Sequence, residues 1–117
     1  MKRIVEKNCP TGTMYEVYFD GDKYPRSRVC VFHSIQMYDG FEYILLFSSD
    51  GKLIKPAYKY MNEILKKGSI SKRRLALQAL KVLYAFFELF GLNDKSEFDQ
   101  EVLSRFTDFL SGIYRDW

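Results

Sequence analysis

The sequence predicts a mainly α-helical fold, in which a small helical bundle is preceded by a short antiparallel β extension. Three short runs rich in β-branched and aromatic residues fall within the first 50 residues and are separated by turn signals, a pattern typical of antiparallel strands. From residue 52 the apolar residues recur at helical spacing instead. We therefore expect a β-rich N-terminal extension over residues 1–50 and a helical domain over residues 51–117.

The β extension rests on three runs with clear boundaries. The predicted strands cover residues 14–19, 29–35 and 41–47. The turn signals that separate them are Asp20-Gly21-Asp22 and Asp39-Gly40. Gly and Asp accept the backbone conformations of tight turns, and strands this short need a helix to cover one face of their sheet.

The first predicted helix runs from Pro56 to Lys67. Pro suits the first turn of a helix, where no amide donor is needed, and Gly68 suits its end. Ser69 or Ser71 can then cap the next helix, because a side-chain oxygen satisfies the free amides of its first turn.

The second predicted helix, residues 72–90, is the longest and most apolar. One narrow stripe carries little apolar surface, and it consists of Arg74, Gln78, Lys81, Ala85 and Glu88. Almost every other position is apolar. A helix that is apolar around most of its circumference has neighbours on several sides, so we expect this helix to be central.

A third helix is predicted to follow Ser96, whose hydroxyl can cap it, with Asp99 three residues later in a capping-box-like spacing. Its apolar face consists of Phe98, Val102, Leu103, Phe106, Phe109, Leu110 and Ile113. These spacings are those of an amphipathic helix.

Length and composition exclude several classes of protein. The 117 residues fit one compact domain, and 47% hydrophobic residues are too many for a disordered chain. No apolar run approaches the ~20 residues of a membrane span, and the charged N-terminus shows no secretory signal. Cys9 and Cys30 have no CxxC spacing, so we expect reduced thiols. Together these observations predict a cytoplasmic protein without membrane contact.

The formal net charge of +3 conceals an uneven distribution. Residues 51–92 contain nine basic and two acidic residues, a charge of +7, whereas residues 1–50 and 93–117 carry −1 and −3. Local positive charge is the electrostatic signature of a phosphate-binding surface. A solvated helix face without a partner has the same signature.

Patterns that carry catalysis are absent from the sequence. His33 is the only histidine, and its spacing of three from Cys30 within a predicted strand places the two side chains on opposite faces. The sequence contains neither a glycine-rich phosphate loop nor a cluster of metal ligands. We therefore expect a chain that is not an enzyme by itself, has no catalytic residue, and binds neither a cofactor nor a metal.

Cations gathered at the start of the second helix are the strongest functional candidates. Free backbone amides and the positive end of the helix dipole favour a phosphate there. Cations at this end oppose the dipole by roughly 0.3–1 kcal/mol each unless an anion is bound. The residues predicted to contact double-stranded DNA are Lys66, Lys67, Ser71, Lys72, Arg73, Arg74 and Lys81.

Residues from about 41 to 113 resemble the N-terminal core-binding domain of the tyrosine recombinases, the phage integrase family. In that family a short strand leads through an Asp-Gly turn to a helix that begins near a Pro. A Gly-Ser turn then leads to a long helix rich in Leu and Phe, followed by a further helix. The matching features here are residues 43–47, Asp50-Gly51, Pro56, Tyr60-Met61, Gly68-Ser69, Leu80-Lys81, Phe86-Phe87 and residues 102–106. The family usually has a Thr near the start of the long helix, where this chain has Lys72-Arg73-Arg74.

The resemblance implies a SAM-like helical bundle that forms one jaw of a clamp around a recombination site. It implies a DNA-binding module for DNA integration and recombination, which acts on double-stranded DNA together with other recombinase protomers. It also implies a bacterial or phage-encoded protein associated with the nucleoid. The family's catalytic Arg, His and Tyr lie in a domain that would follow Trp117, so we expect the chain to be truncated before that domain.

Two alternatives stay open. The basic helical surface also fits a non-enzymatic protein–protein interaction module that meets an acidic partner. Residues 1–40 either bind DNA arm sites, as an extra β domain does in some integrases, or pack as an extension of the helical domain. The charge of −1 over residues 1–50 favours packing.

Overall fold

The chain folds into an α+β structure built on a five-stranded sheet, seen in a computed structural model that describes residues 3–9, 11–92 and 100–116. Four strands form an antiparallel meander. They are β1 (Arg3–Cys9), β2 (Gly12–Tyr18), β3 (Ser27–Tyr38) and β4 (Phe41–Phe47). A short fifth strand, β5 (Ile113–Asp116), pairs in parallel with β1, which gives the strand order β4-β3-β2-β1-β5.

The three predicted strands are confirmed as β2, β3 and β4. The turn between β3 and β4 is Asp39-Gly40, and both residues have positive φ, 53° and 76°. Such angles are those of a two-residue hairpin turn that follows the twist of the strands. The local patterns do not predict β1 or β5.

The helices follow the meander in sequence. α1 (Lys55–Lys59) continues directly into a π-helical segment (Tyr60–Ile64), and α2 (Ile70–Leu89) and α3 (Gln100–Ser111) come after it. The first predicted helix is therefore present, but half of it is wound as a π-helix. The predicted caps of the third helix, Ser96 and Asp99, lie outside the described residues.

The prediction of a mainly helical, SAM-like bundle is wrong. The sheet is the organising layer, and α2 packs on β3 and β4, so strands cover much of the apolar surface that indicated a ring of helices. On another side of α2, Phe86 contacts Phe106 and Phe109 of α3, with ring centroids 5.0 and 5.6 Å apart. The expectation that this helix is central is confirmed.

One hydrophobic core draws on both predicted parts of the chain. Side chains from the sheet, such as Tyr15, Val31 and Leu46, lie in the same cluster as Phe86 and Phe109 from the helices. The predicted boundary at residue 50 marks where the meander passes into the helices, and as a domain boundary it stays a prediction. No helix within the described ranges is long and apolar enough to cross a membrane.

Candidate nucleic-acid interface

The basic residues of residues 51–92 lie in the connection from β4 to α2 and in α2 itself. The π-helical segment ends before Leu65, and the chain then turns at Gly68, where a Cβ would lie 3.2 Å from the carbonyl oxygen of Leu65. Ser69 is the N-cap of α2, and its hydroxyl accepts a hydrogen bond from the amide of Lys72 at 3.2 Å. Of the two predicted caps, Ser69 is therefore the one used, while Ser71 lies exposed in the first turn.

Arg73 points into the protein and is only 3% exposed. Its guanidinium donates hydrogen bonds of 2.8 Å to the backbone carbonyls of Met61 and Glu42 and to the side-chain oxygen of Asn62. It also lies over the ring of Phe41, 4.4 Å from the centroid. These contacts occupy the guanidinium inside the fold, so we leave Arg73 out of the interface proposed below.

Asn62 joins the π-helical segment to the sheet. Its side-chain oxygen accepts a hydrogen bond from the amide of Ile44 at 2.8 Å, and its side-chain nitrogen donates to the Ile44 carbonyl at 2.7 Å and to the Tyr58 carbonyl at 2.9 Å. A buried amide that satisfies both backbone groups of one strand residue fixes the separation of the two elements. Asn62 does not stand out in the sequence, because a single Asn inside a helical pattern carries no signal of its burial.

Lys81 is likewise buried, at 5% exposure, and its Nζ lies 3.1 Å from the hydroxyl oxygen of Thr13. Burial lowers the pKa of this ammonium group, and the negative charge of Glu6 partly opposes that shift. The side chain faces the sheet and not the solvent. We therefore leave Lys81 out of the interface as well.

The other predicted cations remain on the outside of the turn. We define the basic surface as Lys66, Lys67, Lys72 and Arg74, all exposed. Arg74 contacts both carboxylate oxygens of Glu42, at 2.9 and 3.1 Å. Within the described ranges no carboxylate lies at ion-pair distance from Lys66, Lys67 or Lys72.

The start of α2 adds backbone donors to this surface. The amides of Lys72 and Arg73 bond to the side chain and the carbonyl of Ser69, whereas the amides of Ile70 and Ser71 have no acceptor in the described part of the chain. The first turn contains no acidic residue. An anion placed here would meet free amides, the positive end of a 20-residue helix and several cations together.

Two cysteines and the histidine lie in strands of the sheet, Cys9 in β1 and Cys30 and His33 in β3. The Sγ atoms of Cys9 and Cys30 lie 3.6 Å apart, and burial together with Cys9 raises the pKa of the Cys30 thiol to about 11, which keeps it protonated near neutral pH. His33 is half-buried in β3, and its buried Nδ1 has no hydrogen-bond partner among the described residues. Among the described residues, no three His, Cys, Asp or Glu side chains are grouped closely enough to hold a metal ion.

Comparison with known proteins gives no relative for this chain. Neither the protein-family models, nor the curated proteins, nor the solved structures contain a match.

Proposed function

We propose that this chain is a non-enzymatic DNA-binding module of a site-specific tyrosine recombinase, and that it binds double-stranded DNA through the basic surface. One observation carries the DNA-binding part. Four exposed cations lie within four residues of Ile70, where α2 begins with free amides, while the guanidinium of Arg73 is buried and bonds to Met61 and Asn62 of the π-helical segment.

The arrangement is unfavourable without an anion. Lys72 lies in the first turn of α2, where a cation opposes the helix dipole by roughly 0.3–1 kcal/mol. Within the described ranges no carboxylate lies at ion-pair distance from Lys72, or from Lys66 and Lys67 just before the helix, to offset the repulsion among them. From residue 52 to residue 74 the only acidic residue is Glu63. A polyanion such as the DNA backbone would turn this repulsion into attraction and release its own counterions.

The recombinase part of the proposal rests on the resemblance over residues 41–113. The order of strand, turn, helix, long helix and further helix agrees with that resemblance, whereas the five-stranded sheet departs from the helical bundle that the resemblance implies. On this proposal the module holds the duplex next to other recombinase protomers, and a separate domain supplies the chemistry.

Fluorescence anisotropy with a labelled duplex oligonucleotide of mixed sequence tests DNA binding. We expect the triple variant Lys66→Ala, Lys67→Ala, Lys72→Ala to bind on the order of a hundredfold more weakly than wild type at low salt, because three phosphate contacts are lost. Lys23→Ala is the matched control, since Lys23 is an exposed lysine in the distant β2–β3 connection. Wild-type protein that binds no duplex, or a triple variant that binds as wild type does, would overturn the proposal.

A second candidate is a protein-interaction module whose partner is an acidic amphipathic helix. Leu75, the residue after Arg74, is 70% exposed. It lies at a groove between α2 and α3 whose lining residues are Leu75, Gln78, Ala79, Val82, Phe106 and Leu110. Apolar surface beside cations suits such a helix. The two candidates differ at Leu75→Ala, which would weaken binding of an acidic helical peptide and leave duplex binding unchanged.

A further inference from the structure

The tip of the β3–β4 hairpin is an exposed apolar finger. The six residues 35–40 are all exposed, and the side chains of Met37 and Tyr38 are 65% and 73% exposed. Loop tips are ordinarily polar, so large apolar side chains held there by a tight turn point to a contact made on binding.

The finger, residues 35–40, is connected to the basic surface through the residues that it pairs with in β4. Met37 pairs across the hairpin with Glu42 and Tyr38 pairs with Phe41. The Glu42 carboxylate accepts a hydrogen bond of 2.9 Å from the guanidinium of Arg74. The Nζ of Lys66 lies 5.8 Å from the centroid of the Phe41 ring.

Buried Arg73 adds a third link between the finger and α2, since it donates to the Glu42 carbonyl at 2.8 Å. The residues paired with the apolar tip are therefore in contact with α2 and with Arg74 and Lys66 of the basic surface.

Duplex DNA has the chemistry that such a surface matches. Phosphates line the edges of the major groove, while base edges and thymine methyl groups form its floor. The groove admits a two-stranded β ribbon, and apolar side chains pack on the thymine methyl groups. Cations beside a projecting ribbon are complementary in charge to this arrangement.

We propose that the β3–β4 hairpin enters the major groove of the duplex held by the basic surface, with Met37 and Tyr38 in contact with the floor of the groove. This inference rests on the proposed function and adds the contact that reads the bases. Phosphate contacts position a protein on DNA, and groove contacts distinguish sequences.

The same anisotropy assay tests the finger with the double variant Met37→Ala, Tyr38→Ala. Both side chains are exposed, so the fold is expected to survive, and circular dichroism checks it. We expect about tenfold weaker binding, with an unchanged dependence on salt because no charge is removed. Tyr24→Ala is the matched control: Tyr24 is 80% exposed in the connection that leads into the opposite end of β3, and this variant should bind within about twofold of wild type.

A duplex in which uracil replaces every thymine provides a second test. If Met37 and Tyr38 only stabilised the fold, the affinity of the protein would be the same for both duplexes. The uracil duplex lacks the methyl groups, so wild type is expected to bind it about threefold more weakly than the thymine duplex. The double variant is expected to bind the two duplexes equally.

Asp39→Asn adds a variant whose expected effect cannot come from misfolding. Asn-Gly is a favoured pair for this hairpin turn, and the change removes a negative charge from the finger. We expect it to bind the duplex about threefold more tightly than wild type.

The outcomes separate the finger from the basic surface. If the double variant binds as wild type does, or if wild type does not distinguish thymine from uracil, the finger does not enter the major groove, although the basic surface can still bind DNA. An equal loss of affinity in Tyr24→Ala would also contradict entry of the finger into the groove. So would an Asp39→Asn variant that binds the duplex no more tightly than wild type. Wild-type protein that binds no duplex overturns both proposals.

Discussion

The guanidinium of Arg73 donates a hydrogen bond to the side-chain oxygen of Asn62 at 2.8 Å, and each side chain is only 3% exposed. Asn62 also bonds both backbone groups of Ile44 in β4. One buried polar contact thus joins β4, the π-helical segment and α2. Because the basic surface lies on the turn between these elements, this contact sets where its cations stand.

Arg73 is expected to contribute strongly to stability. Arg73→Met removes three hydrogen bonds from a charged donor and leaves a buried amide oxygen and two carbonyls with fewer partners, so we expect the free energy of unfolding to fall by about 3 kcal/mol. Urea denaturation measures it. Lys72→Met, at the exposed neighbouring position, is expected to stay within about 0.5 kcal/mol of wild type, and equal losses for the two variants would contradict the buried role.

Arg73 and Asn62 are expected to be energetically coupled. A double-mutant cycle with Arg73→Met and Asn62→Leu should give a coupling free energy of about 1–2 kcal/mol, because the two buried side chains share a charge-assisted hydrogen bond. The same denaturation experiment supplies the four values. Strictly additive losses would mean that each side chain acts alone.

Ser71→Asp is expected to move stability and DNA binding in opposite directions. An acidic residue in the first turn of α2 interacts favourably with the helix dipole and should raise the free energy of unfolding by about 0.5 kcal/mol. The same carboxylate repels a phosphate, so the affinity for duplex DNA should fall. Thermal denaturation and anisotropy measure the two effects, and Ser111→Asp, on exposed Ser111 of α3, controls for net charge. A variant that is stabilised and binds DNA unchanged would place the phosphate elsewhere.

The stability of the fold is expected to depend on His33 in mildly acidic solution. Burial and the positive charge of Lys81 lower the pKa of His33 from 6.5. The folded state therefore favours the neutral ring. The contribution of neutral His33 to the free energy of unfolding is therefore fully present above the pKa of the unfolded state, near 6.5. It is lost as the pH falls through the lower pKa of the folded state.

We expect the free energy of unfolding to decline in wild type as the pH falls below about 6.5, and to decline less in His33→Gln, because His33 is the only histidine. Urea titrations at several pH values measure the difference. Parallel declines in the two proteins would show that carboxylates alone cause the pH dependence.

The strands illustrate what local patterns can and cannot predict. β2, β3 and β4 consist of β-branched and aromatic runs between strong turn signals, so they follow from the sequence. β1 begins with Arg3 and contains Glu6, which is only 4% exposed, and a buried carboxylate hides the apolar alternation. β5 has four residues and pairs with β1, which lies about a hundred residues earlier in the chain; no local pattern reports such a long-range contact.

The candidate site shows the same limit at the scale of one helix. Consecutive residues on a helix differ by about 100° in direction, so the sequence places three cations at residues 72–74 without showing which one points inward. The polar stripe predicted through Arg74 and Lys81 differs from the observed inward stripe of Arg73, Leu77 and Lys81. Two of the predicted cations are buried because backbone carbonyls and Thr13 satisfy them, and charged residues are rarely buried without such partners.

The salt dependence of duplex binding by the wild-type chain tests the central claim most directly. If the four cations of the basic surface each neutralise one phosphate, a plot of log K against log salt concentration should have a slope of about −3.6. A slope near zero, or no measurable binding at low salt, would contradict the claim that the basic surface holds the DNA backbone.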